Sequence, residues 1–166
     1  MLFVKQRIVL LTLRVIVGFI CCLASICSLG QQLKPNLTGT WKINLKSSKL
    51  APAHPPEQHE RYKIRHAEPR LEVTHSFNGR SEVIAYVTDG KERVVHRSLD
   101  EGPIRAKAYW EGETLVIEKH QDQVNCSWVS RFSLSQDGKS LGIAQHVAAS
   151  TLSGPFDESL VYDKER

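Results

Sequence analysis

Four short turn signals, Asn78-Gly79, Asp89-Gly90, Glu111-Gly112 and Asp137-Gly138, interrupt a chain that otherwise alternates apolar and polar residues in short runs. Asn-Gly and Asp-Gly are the dipeptides best able to adopt the positive φ angles of a two-residue hairpin turn. A chain folded by repeated hairpins is an antiparallel meander, and a long meander protects its edges best by closing on itself. The turns therefore predict an all-β, antiparallel, up-and-down barrel.

The runs between the turns support this reading. Leu37, Trp41, Ile43 and Leu45 share one face at period two, as do Tyr62, Ile64 and His66 in the run from His59. Leu71, Val73, His75 and Phe77 repeat the pattern, and so do Ile104, Ala106, Ala108 and Trp110. Cys126, Trp128, Ser130, Phe132 and Leu134 line up on a later strand. Period two over such lengths is a strand signal. With Arg80–Thr88, Lys91–Ser98, Glu113–His120, Lys139–Ala148 and Phe156–Asp163, about eight to ten strands are expected, with no helix among them. Lys46 to Gln58 carries Pro52, Pro55 and Pro56 and has the length of a functional loop or lid.

The N-terminus has a different character. Lys5, Arg7 and Arg14 precede an uncharged apolar run from Val15, and Ser28-Leu29-Gly30 places small residues where a signal peptidase cuts. Residues 1–30 are expected to be a signal peptide, with an uncleaved anchor as the alternative. Residues 31–166 then form the barrel domain, and the destination is secreted or periplasmic. Loss of the segment takes Lys plus Arg from 22 to 19 against 18 acidic residues, a net charge near +1. Near neutrality argues against nucleic acid as a partner. It also confines any membrane role to the N-terminal segment. Cys126 is the one cysteine left, so the domain has no internal disulfide and its core must carry the stability.

Gly39-Thr40-Trp41 resembles the G-x-W of the calycin superfamily, in which the glycine and tryptophan of the first strand close one end of the barrel. The run Leu37 to Leu45 with Lys46-Ser-Ser-Lys49 resembles the lipocalin-like domains of uncharacterised exported bacterial proteins. Trp110-Glu-Gly-Glu-Thr-Leu-Val-Ile-Glu118 and Phe132-Ser-Leu-Ser-Gln-Asp-Gly-Lys-Ser-Leu141 extend that resemblance over most of the domain. It implies a lipocalin-like barrel, with Gly39 and Trp41 as closing residues and a lid after the first strand. The chain departs from true lipocalins at Thr88-Asp89-Gly90, where their T-D-Y motif would need tyrosine. It also lacks the Arg-x-Tyr clamp of fatty-acid-binding proteins, since its last strand reads Leu160-Val-Tyr162-Asp-Lys.

A small barrel is either filled by side chains or holds one small ligand. The inward set contains apolar and aromatic residues (Tyr62, Ile64, Val73, Phe77, Trp128, Phe132) together with polar His75 and Lys119. Apolar walls with a few polar groups are the composition of a small-molecule pocket. The bland alternative places the polar residues at the rims, where an inward side chain already meets water. Seven histidines invite a metal, but no two stand at the i, i+2 spacing that puts strand ligands on one face. No metal or other cofactor is expected. Cys126 shares a face with Trp128, which predicts a buried, inert thiol. No G-x-S-x-G or comparable motif points to an enzyme. The expected function is non-enzymatic binding of a small, partly apolar or amphipathic molecule. The alternative is a structural or protein-interaction module of the cell envelope with a filled barrel.

Overall fold

The computed structural model describes residues 34–52, 59–98, 102–148 and 154–166. The chain divides into two compact units, Met1–Gln32 and Leu33–Arg166. The expected signal segment lies outside the described residues, as do residues 53–58 of the expected lid.

The described residues form ten strands in one antiparallel sheet. In chain order they are β1 (Gly39–Ile43), β2 (Arg61–Ala67), β3 (Arg70–Phe77), β4 (Arg80–Val87) and β5 (Arg93–Ser98). There follow β6 (Gly102–Glu111), β7 (Thr114–Gln121), β8 (Cys126–Leu134), β9 (Ser140–Val147) and β10 (Phe156–Lys164). The spatial order is β4-β3-β2-β1-β10-β9-β8-β7-β6-β5, so every sequential pair is hydrogen-bonded except β4 and β5, and β1 returns to β10. The result is a nearly closed up-and-down barrel, as the turn signals predict.

The turns differ in detail from the expectation. Asn78 and Gly79 have φ of 49° and 69°, so both central residues of the β3–β4 hairpin are left-handed, as a two-residue type I′ turn requires. The β6–β7 turn centres one residue later than the dipeptide suggests, on Gly112-Glu113. The β8–β9 connection runs over five residues, 135–139. Asp89-Gly90 departs most, because the strands on either side of it do not pair. The Thr88 amide donates to the Pro69 carbonyl at 2.9 Å, while the Gly90 amide donates to Ala108 of β6 at 2.9 Å. The backbone thus changes partner within the turn, from the β2–β3 corner to β6. Asp89 turns back locally and accepts two 2.7 Å bonds from the Arg93 guanidinium. A seam is left between β4 and β5, crossed by Glu82 Oε1 and His96 Nδ1 at 3.7 Å.

The inward faces carry the core. Leu37, Trp41, Ile64, Leu71, Leu115, Ile117, Leu141, Ile143 and Tyr162 are fully buried in one cluster. Burying side chains of this size contributes roughly 1.5–3 kcal/mol each. The Trp41 indole N–H donates to the Leu37 carbonyl at 3.1 Å, so its one polar atom is satisfied within the core. A Cβ at Gly39 would come within 3.2 Å of the Trp41 ring and 3.0 Å of Lys164, which explains why the closing pair includes glycine.

One outer tie supports this end. Glu68 accepts from the Trp110 indole at 2.6 Å, Thr88 at 2.8 Å, His66 at 2.9 Å and Lys34 at 3.1 Å. Partial burial resists ionisation of Glu68, but these hydrogen bonds outweigh it and hold the carboxyl at about 2.

Candidate functional site

The inward alternation places two polar rows opposite each other. Register aligns Tyr62 with His75 and His75 with Glu82 across β2, β3 and β4. It also aligns Ile117, Ser130, Gln145 and Glu158 across β7 to β10, with Lys119 one step along β7. Between these walls lies a cavity of about 50 Å³ bounded by Tyr62, Val73, His75, Glu82, Lys119 and Phe132, with Ser130 and Gln145 completing its polar wall. Ile84, Tyr86 and Ile117 supply further lining. A water molecule's share of liquid volume is about 30 Å³, so the space matches a group of two or three heavy atoms.

A column of rings leads into it. Phe77 stacks on His75 with centroids 4.8 Å apart, and His75 stacks on Tyr62 at 4.3 Å and 8°. Tyr62 then meets Phe132 and Tyr162 edge-on at 6.4 and 5.0 Å. Behind the column sits Glu60, 3% exposed. Its Oε1 accepts from the Tyr162 hydroxyl at 2.7 Å and lies 2.8 Å from His75 Nε2. An ionised carboxylate only accepts, so Nε2 carries the imidazole proton and the ring is fixed in orientation. Burial pushes the phenols of Tyr62, Tyr86 and Tyr162 well above the ordinary tyrosine value, with nearby carboxylates adding to the effect. All three stay neutral.

Lys119 is different. Its ammonium projects into the cavity, and among the described residues it makes no hydrogen bond or ion pair. Its Nζ lies 5.9 Å from the centre of the Trp128 ring. Loss of hydration lowers its pKa, and Glu82 opposes that only in part. Of the nearby carboxylates, Glu60 is held by His75 and Tyr162, while Glu82 lies 3.7 Å from His96 and also acts on Lys119 across the cavity.

Of the residues expected from sequence, Tyr62, Val73, His75, Lys119 and Phe132 come together as lining. Phe77 and Trp128 flank them, through His75 and Lys119 respectively. Ile64 is packed into the core, 1% exposed, and does not reach the cavity. Trp41 stands in the core, and Gly39, the half-buried first residue of β1, lies against its ring. Sequence reasoning missed Glu60, Glu82, Tyr86 and Ser130. Parity was the available signal: Glu60 is in phase with Tyr62, and Glu82 and Tyr86 with Ile84.

The first half of the expected lid is anchored. Lys49 and Ser159 exchange backbone hydrogen bonds at 2.7 and 2.9 Å, extending the edge of β10 beyond β1. A larger hollow of about 530 Å³ opens over the ends of β2 to β4, with outward Arg65 and Glu72 on its rim, and is a surface groove. Among the described residues no three His, Cys, Asp or Glu side chains converge as metal ligands. Instead His66, His75, His96, His120 and His146 each meet a carboxylate of their own. His120 also lies 2.8 Å from Ser127 Oγ, making a Ser–His–Asp series with Asp122 on the outer wall, away from the cavity lining. Cys126 is buried.

No family model matches the sequence, and no curated protein matches it. Solved structures do resemble the fold. A fatty acid transporter, REP1-NXSQ, aligns over 78% of this chain and 96% of its own at 11% identity and a TM-score of 0.56. Lipid binding protein 8 of Caenorhabditis elegans aligns over 77% and 94% at 13% identity and a TM-score of 0.57. Secretory abundant heat soluble protein 4 of Ramazzottius varieornatus aligns over 82% and 100% at 16% identity and a TM-score of 0.58. The chain has a calycin-like fold. At such identities the similarity is one of backbone alone.

Proposed function

We propose that the barrel is an exported, non-enzymatic binding protein for a small amphipathic molecule with an anionic or hydrogen-bond-accepting head. The observation that carries this is the unmatched Lys119 ammonium facing a cavity whose carboxylates are already engaged. A half-buried cation without a hydrogen-bond partner favours a ligand or water that completes it. Ser130 and Gln145 stand beside it as neutral hydrogen-bonding groups. The Phe77–His75–Tyr62 column offers an apolar track for the rest of the ligand. The names of the structural neighbours, a fatty acid transporter and a lipid binding protein, support an apolar portion.

The test is a thermal-shift and tryptophan-fluorescence screen of fatty acids, isoprenoids and aromatic acids against delipidated protein. A ligand at one hundred times its Kd adds about 2.7 kcal/mol of stability. That gain should vanish in Lys119→Met. A second reading, a structural module with a filled interior, is favoured by the cavity volume of about 50 Å³, which takes a head group and not a whole lipid. If no compound shifts the melting point, the module reading stands. Export is part of the proposal, and N-terminal sequencing of protein from its own host should find the mature chain starting near Gln31.

A further inference from the structure

We propose that Lys119 also captures short aldehydes inside the barrel, as a reversible imine. The inference rests on the same cavity but needs the side chain as a nucleophile rather than as a charge.

Three features converge. The Lys119 amine points into a cavity of about 50 Å³, room for a carbonyl with two or three heavy atoms. Among the described residues nothing hydrogen-bonds the amine, so its lone pair, once the proton leaves, is not held elsewhere. Val73, Ile84, Ile117 and Phe132 strip water from the side chain, which disfavours the charged form, and Glu82 across the cavity opposes this only in part. Desolvation in such a pocket is a recognised way to activate a lysine toward carbonyls. The other lysines lack this setting: Lys139 is 80% exposed beside Asp137, and Lys107 reaches Glu118 at the surface.

The step balances without any cofactor. The neutral Nζ attacks the carbonyl carbon, and the C=O π electrons move to oxygen, which takes a proton. The carbinolamine then expels that oxygen as water and forms the C=N bond. Addition of water reverses the sequence. The groups able to pass protons face the amine from several strands: Glu82 and Tyr86 on β4, His75 on β3 and Tyr62 on β2. Ser130 on β8 and Gln145 on β9 can hold the departing water.

The experiment is reductive trapping on the full chain. Protein is incubated at pH 7 with acetaldehyde and cyanoborohydride, and the rate of ethylation is mapped lysine by lysine. Each unit by which a lysine pKa falls raises its neutral fraction about tenfold. Lys119 should therefore be modified faster than Lys139 at neutral pH, and the ratio should shrink as pH approaches 10.5, the ordinary lysine value. A bulkier aldehyde such as cinnamaldehyde should lose this preference. Lys119→Arg keeps the charge and removes the nucleophile, so it should retain anion-dependent stabilisation and give no adduct at the site. Failure of the ligand screen with rapid trapping at Lys119 would remove the binding proposal alone. Modification of Lys119 no faster than Lys139 would overturn the capture proposal, and this comparison within one wild-type protein does not depend on any variant folding.

Discussion

Two layers of the same barrel interior solve opposite problems. Around Trp41, Leu37, Leu115 and Leu141 the interior is fully buried and apolar, and the one indole N–H finds a backbone carbonyl. Around Lys119 the same inward parity delivers a lysine, a histidine and glutamates between aromatic rings. Both layers follow one period-two pattern. The first spends its positions on stability, whereas the second holds polar groups that remain partly open to solvent. Residual stability is therefore expected to come from the first layer and ligand chemistry from the second.

Substitutions should separate the layers. The largest effect is expected at Trp41→Ala, which should lower stability by roughly 3–5 kcal/mol as measured by denaturant titration. A midpoint near wild type would show that the apolar layer does not depend on its largest side chain. Next, Glu60→Ala removes the acceptor shared by the fully buried Tyr162 and the half-buried His75. A loss of about 1–3 kcal/mol is expected, along with a change in the fluorescence of Tyr62 and its neighbours.

Lys119→Met should act in the opposite direction. Replacing an unmatched, desolvated cation by an apolar side chain of similar length should stabilise the barrel by about 1 kcal/mol. Because the folded state lowers the Lys119 pKa, the unfolded chain binds the proton more tightly near its ordinary value of 10.5. Wild-type stability should thus rise as pH climbs toward that value, and the variant should lack this increment. Were Lys119→Met to destabilise instead, the lysine would belong to the structural layer.

Glu68 offers a smaller test, outside both layers. Its folded pKa of about 2 lies below the ordinary glutamate value of 4.5, so its contribution is complete above 4.5 and is lost as pH falls toward 2. Glu68→Gln should flatten the acid limb of the stability profile in that window. The smallest effect is expected at the seam. Val83 and Val94 are 58% and 41% exposed on the strands that flank it, and Val94→Thr should change stability by less than about 0.5 kcal/mol.

Much of the fold was legible before any coordinates. The alternation in Leu71–Phe77 and Cys126–Leu134 placed strands to within a residue or two, and Asn78-Gly79 named its own turn. Asp89-Gly90 carries an equally strong turn signal, yet its flanking strands part. Turn chemistry sets only the backbone angles of two residues. Whether the arms then pair depends on where the remaining backbone donors find acceptors, and the Gly90 amide finds Ala108 of β6.

The candidate site was half legible for a related reason. Parity tells which side of the sheet a residue faces, and Tyr62, Val73, His75, Lys119 and Phe132 line one cavity. It does not say which inward residues a cavity reaches, so Ile64 shares their face and is still packed into the core. The sequence by itself determined the strand count, the inward faces and the glycine–tryptophan pair of the first strand, because each depends on neighbours a few residues apart. Only the tertiary structure decided that Glu60 would be taken by Tyr162, 102 residues away, that Glu82 would turn to His96 across the open seam, and that Lys119 would be left facing the cavity alone. Those pairings depend on strand stagger around the whole barrel, a quantity no local pattern encodes.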